Sequence, residues 1–469
     1  MPKLNPDRFF DPDPGVRKIA RELYESVKDM PIISPHGHVD PTLFSENRPF
    51  PNPAELFLIP DHYLFRMLYS QGVSMKAMGV PTVDDSPVES DPEKIWQRFA
   101  DHWYLFAGTP SGVWLAHELY EVFDVSCELN SENAPKIYAE VQEKLSSPEF
   151  LPRNLFDSFN IELISTTDAA EDDLQAHQNI RNSGWNGNVI PSFRPDSVTD
   201  IARPDWLSSI QKLGEIIGKE ITKYSDLIEA LRQRRQYFIE NGTVATDQGV
   251  VSPYTHLLRD IDAERIFQKA MDRTHTQRDA EFFTAHMLMK MAEMSVEDGL
   301  VMQIHPGVLR NHNQMVFNKF GLDKGCDIPV QTEYTRNMRE LLNKFGNEPD
   351  LSIILFTLDE DTYSRELAPL AGHYPALKLG PAWWFNDSIE GMTRFRERVT
   401  ETAGFYNTVG FNDDTRAFPS IPARHDLARR IDANFLAGKV ARHIISKPEA
   451  LKIIKALTYD LVKEAYKLG

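Results

Sequence analysis

Two histidines separated by a single glycine, His36 and His38 in PIISPHGHVDP (31 to 41), close a short apolar run. Along an extended chain the side chains alternate, so residues two apart face the same way and can share one ion. A third histidine, His305, ends the run LVMQIH, and an acidic pair, Asp413 and Asp414, follows NTVGFN. Imidazole nitrogens with a carboxylate form a donor set suited to a divalent ion such as zinc. Each residue alone is equally a hydrogen-bonded side chain, so the metal reading depends on a fold that makes them converge.

The hydrophobic pattern supplies such a fold. Eight short β-rich runs recur: PIISPH (31 to 36), IELISTTD (161 to 168), NVIPSF (188 to 193), TVATD (243 to 247), LVMQIH (300 to 305), SIILFT (352 to 357), ALKLGPAW (376 to 383) and NTVGFND (407 to 413). Between them lie stretches such as YSDLIEALRQRRQYFIE and SIEGMTRFRERVTE, whose apolar residues fall three and four apart, as on an amphipathic helix. This alternation predicts an α/β chain folded as a (β/α)8 TIM-type barrel, with its chemistry at the C-terminal strand ends. Those ends carry His36 and His38, Thr166 to Asp168, Arg194 and Asp196, and Asp247 and Gln248. The later ends carry His305 followed by Arg310, Asp359 to Asp361, Trp383 and Trp384, and Asp413, Asp414 and Arg416. The acidic run Asp359 to Asp361 reads as a solvated loop.

The spacing is uneven once. The first run ends at 36 and the second begins at 161, and the helix-like segments between them, among them DHYLFRMLYSQGV and NAPKIYAEVQEKL, predict a helical insertion at about 43–158 between strands 1 and 2, near the barrel mouth. No Gly/Ser-rich linker marks a boundary, so residues 1–469 read as a single domain that includes the insertion. The tail from Pro448 reads as a closing amphipathic helix.

Composition narrows the partners. With 51 Lys+Arg against 69 Asp+Glu the formal net charge is -18, which repels phosphate backbones and argues against nucleic acid and anionic membrane surfaces. An anionic small substrate therefore needs a local basic pocket. Cys127 and Cys326 are the only cysteines, too few for a disulfide framework or a cysteine-rich zinc site, and a reducing cytoplasm fits best. No apolar run is long enough to span a bilayer, and the N-terminus has no signal core. Assembly into a homo-oligomer is left open.

At this point a resemblance enters. The stretch Ala20 to Val73, with KDMPIISPHGHVDP and DHYLFRMLYSQGV, resembles the N-terminal part of uronate isomerases of the amidohydrolase superfamily. STTDAAEDDLQAH, NVIPSFRPD, MQIHPGVLRNHN, GPAWWFND, DDTRAF and ARHDLARRI continue the likeness in family order along nearly the whole chain. The resemblance implies an aldose-ketose isomerase converting D-glucuronate or D-galacturonate to D-fructuronate or D-tagaturonate by proton transfer between C2 and C1. It implies one metal ion, held here by His36, His38 and Asp414, with His305 as an additional ligand or a substrate contact. Binuclear hydrolases of the superfamily carry a lysine or equivalent at strand 4 and a histidine at strand 6, where this chain reads ATDQG and FTLDED. Asp413 competes for the ligand role, and the DxR spacing to Arg416 favours Asp414.

The resemblance also implies roles for catalysis. Asp414 is the candidate base, Arg416 the charge that stabilises a developing oxyanion, and His62 and Tyr63 of the DHY block the groups that move protons. Arg194 in FRPD is the choice to pair with the substrate carboxylate, because a guanidinium offers two parallel hydrogen bonds. Trp383 and Trp384 supply a flat wall for a sugar, and Arg310 and His305 complete the substrate contacts. Departures from the family pattern stand at Gln248, at Gly112 and Val113 before Trp114, and in LFTLDEDTY; they bear on which sugar is taken. The alternatives are a mononuclear hydrolase or decarboxylase acting on another sugar acid, and a catalytically silent sugar-acid binding protein on the same barrel. The intact HGH, DHY and DTR sets count against both.

Overall fold

The computed structural model of the chain describes residues 4–469. Seven parallel strands form one curled sheet in sequence order: β1 (Ile32–Ser34), β2 (Ile161–Ala169), β3 (Val189–Arg194), β4 (Ala245–Val250), β5 (Val301–Pro306), β8 (Ile353–Leu355) and β9 (Leu377–Leu379). Two further strands, β6 (Val308–Leu309) and β7 (Ile328–Pro329), form a separate antiparallel ribbon just beyond β5 that the sequence pattern did not foretell.

Both faces of the sheet are apolar, as parallel sheets require when helices cover one side and the sheet curls over the other. The concave face collects Ile33, Leu163, Ile190, Ala245, Val301 and Ile354, one from each of six strands. The convex face, with Phe193, Met302, Ile304, Ile353 and Leu355, packs beneath the helices. Alternation along each strand produces this division, and it also sends every second residue at a strand end toward the same enclosed space.

The eighth expected strand is reduced to one residue. Thr408 makes a single parallel bridge to Leu379, with backbone bonds Leu379 N to Asn407 O and Val409 N to Leu379 O, each 3.0 Å. The chain then leaves the ladder, because Gly410 turns in the left-handed region at φ 79° and local side chains take over the backbone: Asn412 Oδ1 accepts from the Asp414 amide and Asp413 Oδ1 from the Thr415 amide. The regular sheet thus stops at seven strands, a half-barrel by its hydrogen bonding, where eight strands were expected. β1 is also shorter than the run that announced it, since Pro35 ends it by offering no N–H.

Residues 42–158 carry helices, including Thr42–Glu46, His62–Ser70, Pro92–Asp101, Pro110–His117, Ala134–Leu145 and Pro152–Ser158. They share an apolar cluster built around Phe57, Trp96, Phe99, Phe123 and Ile137. Cys127 and Cys326 are unpaired. Among the described residues no helix is long and apolar enough to cross a membrane.

Helices Ile389–Ala403 and Ile421–Ala441 flank the end of the sheet from which the eighth run departs, and a buried two-point ion pair locks them. Arg396 Nε donates to Asp432 Oδ1 at 2.6 Å and Nη2 to Oδ2 at 2.9 Å, with both side chains under 10% exposed. Deleting one member of such a pair strands a buried charge, at a cost of about 3–5 kcal/mol. Asp432→Ala is therefore expected to lower the thermal midpoint by several degrees, read by differential scanning calorimetry; a midpoint equal to that of the parent would mean that the pair does not hold this corner.

Candidate active site

β1 stops at Ser34, so the two histidines lie on the irregular segment beyond the strand, and simple strand alternation is not what aligns them. A cross-connection does. The His38 amide donates to the Thr415 carbonyl at 2.8 Å, and the Thr167 hydroxyl donates to the Gly37 carbonyl at 2.8 Å, which pins the HGH turn between the end of β2 and the DDTR segment. A Cβ on Gly37 would sit 3.3 Å from the Thr415 carbonyl oxygen, so the glycine permits this close passage.

The passage delivers Asp414 to both rings. Its Oδ1 lies 3.5 Å from His36 Nε2 and 3.3 Å from His38 Nε2. Asp414 adopts a left-handed backbone conformation, φ 42°, a strained state worth on the order of 1–3 kcal/mol that persists at functional sites when the surroundings enforce it. The Trp383 indole N–H donates to Asp414 Oδ2, leaving Oδ1 facing the histidines. Asp413 is spent elsewhere, with Oδ2 3.0 Å from His425 Nε2 and its carbonyl accepting from Arg424. Of the two adjacent aspartates, the one spaced DxR from Arg416 is the one beside the histidines.

Asp414 Oδ1, His36 Nδ1 and His305 Nε2 are buried and make no hydrogen bond among the described residues. An unpartnered carboxylate oxygen buried 3.3–3.5 Å from two imidazole nitrogens calls for a bound group. Two overlapping triads, His36–His38–Asp414 and His36–Asp247–His305, bring ligand atoms within 4.8 Å of one another. Desolvation pushes the His36 and His38 rings below the usual imidazole range, which favours the neutral form a metal ion needs. The nitrogen and carboxylate donors of the first triad fit a divalent ion.

The second triad is less free. Burial alone would raise the Asp247 carboxyl, but Arg194 and His305 hold it well below the usual range. Its Oδ1 is 2.7 Å from His305 Nδ1, and its Oδ2 is 3.2 Å from Arg194 Nη1. Arg194 also donates from Nε to Asp196 Oδ2 at 2.7 Å, so two carboxylates already balance its charge. Asp247 was legible as a strand-end residue but not as the partner of His305. Its neighbour Gln248 shares the opposite face of β4 with Thr246, to which its amide donates at 2.8 Å.

The remaining residues come from helices and loops above the sheet. Asp61 caps helix His62–Ser70, its Oδ1 accepting from the Tyr63 amide at 2.8 Å, and this sets His62 and Tyr63 at the helix start. Burial pushes the Asp61 carboxyl up to about 6, lowers the His62 imidazole to about 3 and drives the Tyr63 hydroxyl well above its normal value. At neutral pH His62 is therefore uncharged and Tyr63 keeps its proton. Trp384 stands 5.9 Å from the His62 ring at a right angle. His38, His62, Tyr63, Trp383, Asp414 and Arg416 line one cavity, to which Arg310 and Arg424 also contribute.

Two acidic residues of that cavity had no sequence signal beyond their charge, and Arg424, inside the ARHDLARRI block, was not singled out. Asp323 Oδ2 lies 3.1 Å from Arg416 Nη2, and Asp327 Oδ2 lies 2.8 Å from Arg310 Nη1. Arg424 donates to Asp387 Oδ2 at 2.8 Å and covers the face of Trp114 at 3.6 Å, placing Trp114 beneath the cavity wall. Gly112, the departure just before it, lies where a Cβ would meet the Phe106 carbonyl oxygen at 2.2 Å, so the helix start there admits nothing larger.

The same elements occur in known proteins. A family model described as glucuronate isomerase matches residues 15–466. A uronate isomerase of Brucella canis is 53% identical over 465 residues, covering 99% of this chain and 100% of the relative. The crystal structure of glucuronate isomerase from Caulobacter crescentus superposes with a TM-score of 0.98 at 53% identity, covering 99% of this chain and 97% of that one. A uronate isomerase structure from Thermotoga maritima superposes at 0.92 with 26% identity over 99% of this chain and 100% of that one. Likeness of this extent, in sequence and in backbone alike, means that the chain belongs to the glucuronate isomerase family.

Proposed function

We propose that this aldose-ketose isomerase interconverts an aldohexuronate, D-glucuronate or D-galacturonate, and its ketose, D-fructuronate or D-tagaturonate, at the cavity bounded by His38, His62 and Asp414. The observation that carries the reading is the meeting of the HGH, DHY and DTR groups at one cavity in a chain of this family. His36, His38 and Asp414 would hold one divalent ion, zinc by the character of the donors, with the orphaned His305 Nε2 as a further ligand or a substrate contact. Such an ion supplies a Lewis acid that stabilises negative charge on a substrate oxygen.

The chain's own groups account for the protons. Asp414 takes the C2 proton; the released pair forms the C1–C2 double bond, and the C1 carbonyl oxygen gains a proton to complete the enediol. Tyr63, which burial keeps protonated, and the neutral imidazole of His62 are placed to give and relay that proton and then to return one to C1 while the C2 hydroxyl loses its own. Arg416, two residues from Asp414, stabilises the oxyanion with its guanidinium charge. Trp383 orients Asp414, Trp384 offers a flat wall, and Arg194 and Arg310 are polar substrate contacts. Because Asp196 and Asp247 already share Arg194, its attraction for a further carboxylate is reduced.

In the same reading the eight runs make up a (β/α)8 barrel, the eighth joined to the seventh by the single bridge at Thr408, and 1–469 is one domain whose 43–158 insertion carries His62 and Tyr63 over the mouth. A small sugar acid is the partner, without nucleic acid or membrane, in the cytoplasm, and the chain can assemble with copies of itself into a homo-oligomer.

Incubated with D-glucuronate and D-galacturonate in deuterium oxide, the metal-loaded protein is expected to form the matching ketose, followed by proton NMR; no ketose from either sugar would overturn the reading. Asp414→Asn should lower turnover by about 10²–10⁴-fold, and turnover at the parental rate would remove Asp414 from the base role. Chelation should abolish activity, zinc should restore it, and His36→Ala should reduce bound metal measured by mass spectrometry from about one ion per chain. A His36→Ala chain that kept its metal would relocate the site.

A further inference from the structure

Helix Leu461–Ala465 leads the chain into the curl of the sheet, where Val462, Ala465 and Tyr466 join the apolar residues of the concave face. It enters where the eighth run departs. A Cβ on Gly410 would meet the Leu457 carbonyl oxygen at 2.5 Å and Val462 Cγ2 at 2.8 Å, so the glycine lets the two segments pass. The segment is then stapled to the approaches of two strands. Lys467 Nζ donates to the Gly299 carbonyl before β5 and to the Asp350 carbonyl before β8, at 2.8 and 2.6 Å.

One hydroxyl is carried in with it. Tyr466 is fully buried, as are Gln303 and Asn412 beside it. Its hydroxyl donates to Gln303 Oε1 at 2.7 Å and accepts from Asn412 Nδ2 at 3.3 Å. Asn412 Oδ1 accepts from the Asp414 amide at 3.0 Å, and Gln303 Nε2 donates to the Thr246 carbonyl at 3.3 Å. The bonds run in one direction, from the Asp414 backbone to β4. A tyrosine hydroxyl has one proton, and here it goes to Gln303, so the oxygen is left to accept from Asn412. Asn412 must then turn its NH2 to Tyr466 and its oxygen to Asp414; the reverse orientation would set two donors against each other at both ends. In a buried space a mismatch of that kind is costly, so the whole chain of bonds keeps one arrangement.

We propose that Tyr466 is a positioning residue: by fixing the Asn412 amide it holds the Asp414 N–H, and with it the left-handed turn that aims the Asp414 carboxylate at His36 and His38. Its effect on turnover rests on the isomerase reading above. The hold on the backbone of Asp414 is independent of that reading.

Tyr466→Phe removes the hydroxyl and keeps the ring that packs on the concave face. In the metal-loaded protein kcat for the uronate should fall about tenfold, the weight of one hydrogen bond, with KM little changed. Amide hydrogen exchange followed by mass spectrometry should be faster across 411–416 and unchanged in β3. Asn412→Ala should show both effects, and adding Tyr466→Phe to it should produce no further loss. Should Tyr466→Phe not fold, Gln303→Met, which frees the hydroxyl proton to turn toward Asn412, is expected to give the same pair of changes. Parental kcat with parental exchange would overturn the proposal. So would a rise in KM alone, exchange that quickens equally throughout the sheet, or losses that add in the double variant, because Tyr466 would then act by another route. A parent that converts neither uronate defeats the isomerase reading only, since the exchange at 411–416 still decides whether Tyr466 holds Asp414.

Discussion

The 2.8 Å hydrogen bond from the His38 amide to the Thr415 carbonyl joins the two ends of a sheet whose strands do not themselves meet in a ladder. Everything at the site hangs on that connection. β1 ends before Pro35 and the eighth run leaves the sheet at Gly410, so neither the His36–His38 pair nor Asp414 is held by strand geometry. The chain ends are drawn together instead by backbone bonds to Gly37 and Thr415, and the strained turn at Asp414 becomes the shape of the site. Strain of this kind survives because the surroundings over-determine it: Trp383 grips one carboxylate oxygen, Asn412 the amide, and His36 and His38 flank the other oxygen.

Charge pairing is the second constraint. A chain with a formal charge of -18 that belongs to a family of sugar-acid isomerases has to present cations locally without leaving them bare in a buried space. Arg194 stands between Asp196 and Asp247, Arg424 against Asp387, and Arg416 and Arg310 beside Asp323 and Asp327. These pairs are graded by enclosure. Those of Arg424 and Arg194 include deeply buried carboxylates, which makes them scaffolding, and the pair at Asp323 is half-exposed, where an ion pair contributes little.

Much of this was legible in the residues. The inward and outward alternation of LVMQIH and TVATD gave the strands and, with them, the direction of His305 and Asp247. The segment DHYLFRMLYSQGV reads as helical, and a helix capped by Asp61 does form there. The eighth run forms one bridge and no ladder: NTVGFND has the apolar pattern of a strand, yet Gly410 and the aspartate turns divert its backbone, and an apolar pattern reports side chains more readily than backbone bonds. Asp323 and Asp327 were invisible for a plainer reason: acidic residues in loops carry no periodicity, and their meaning lies wholly in which arginine they meet.

The order of strands, the family and the histidines and aspartate that come to face one another are properties of the linear chain, because hydrophobic period and motif composition are local and additive along it. Which arginine is already neutralised and where the strand ends cross depend on contacts between residues far apart in sequence, such as Gly37 with Thr167 and Arg416 with Asp323. Such contacts depend on backbone passage and burial, quantities that no local pattern contains, and tertiary packing alone decides them.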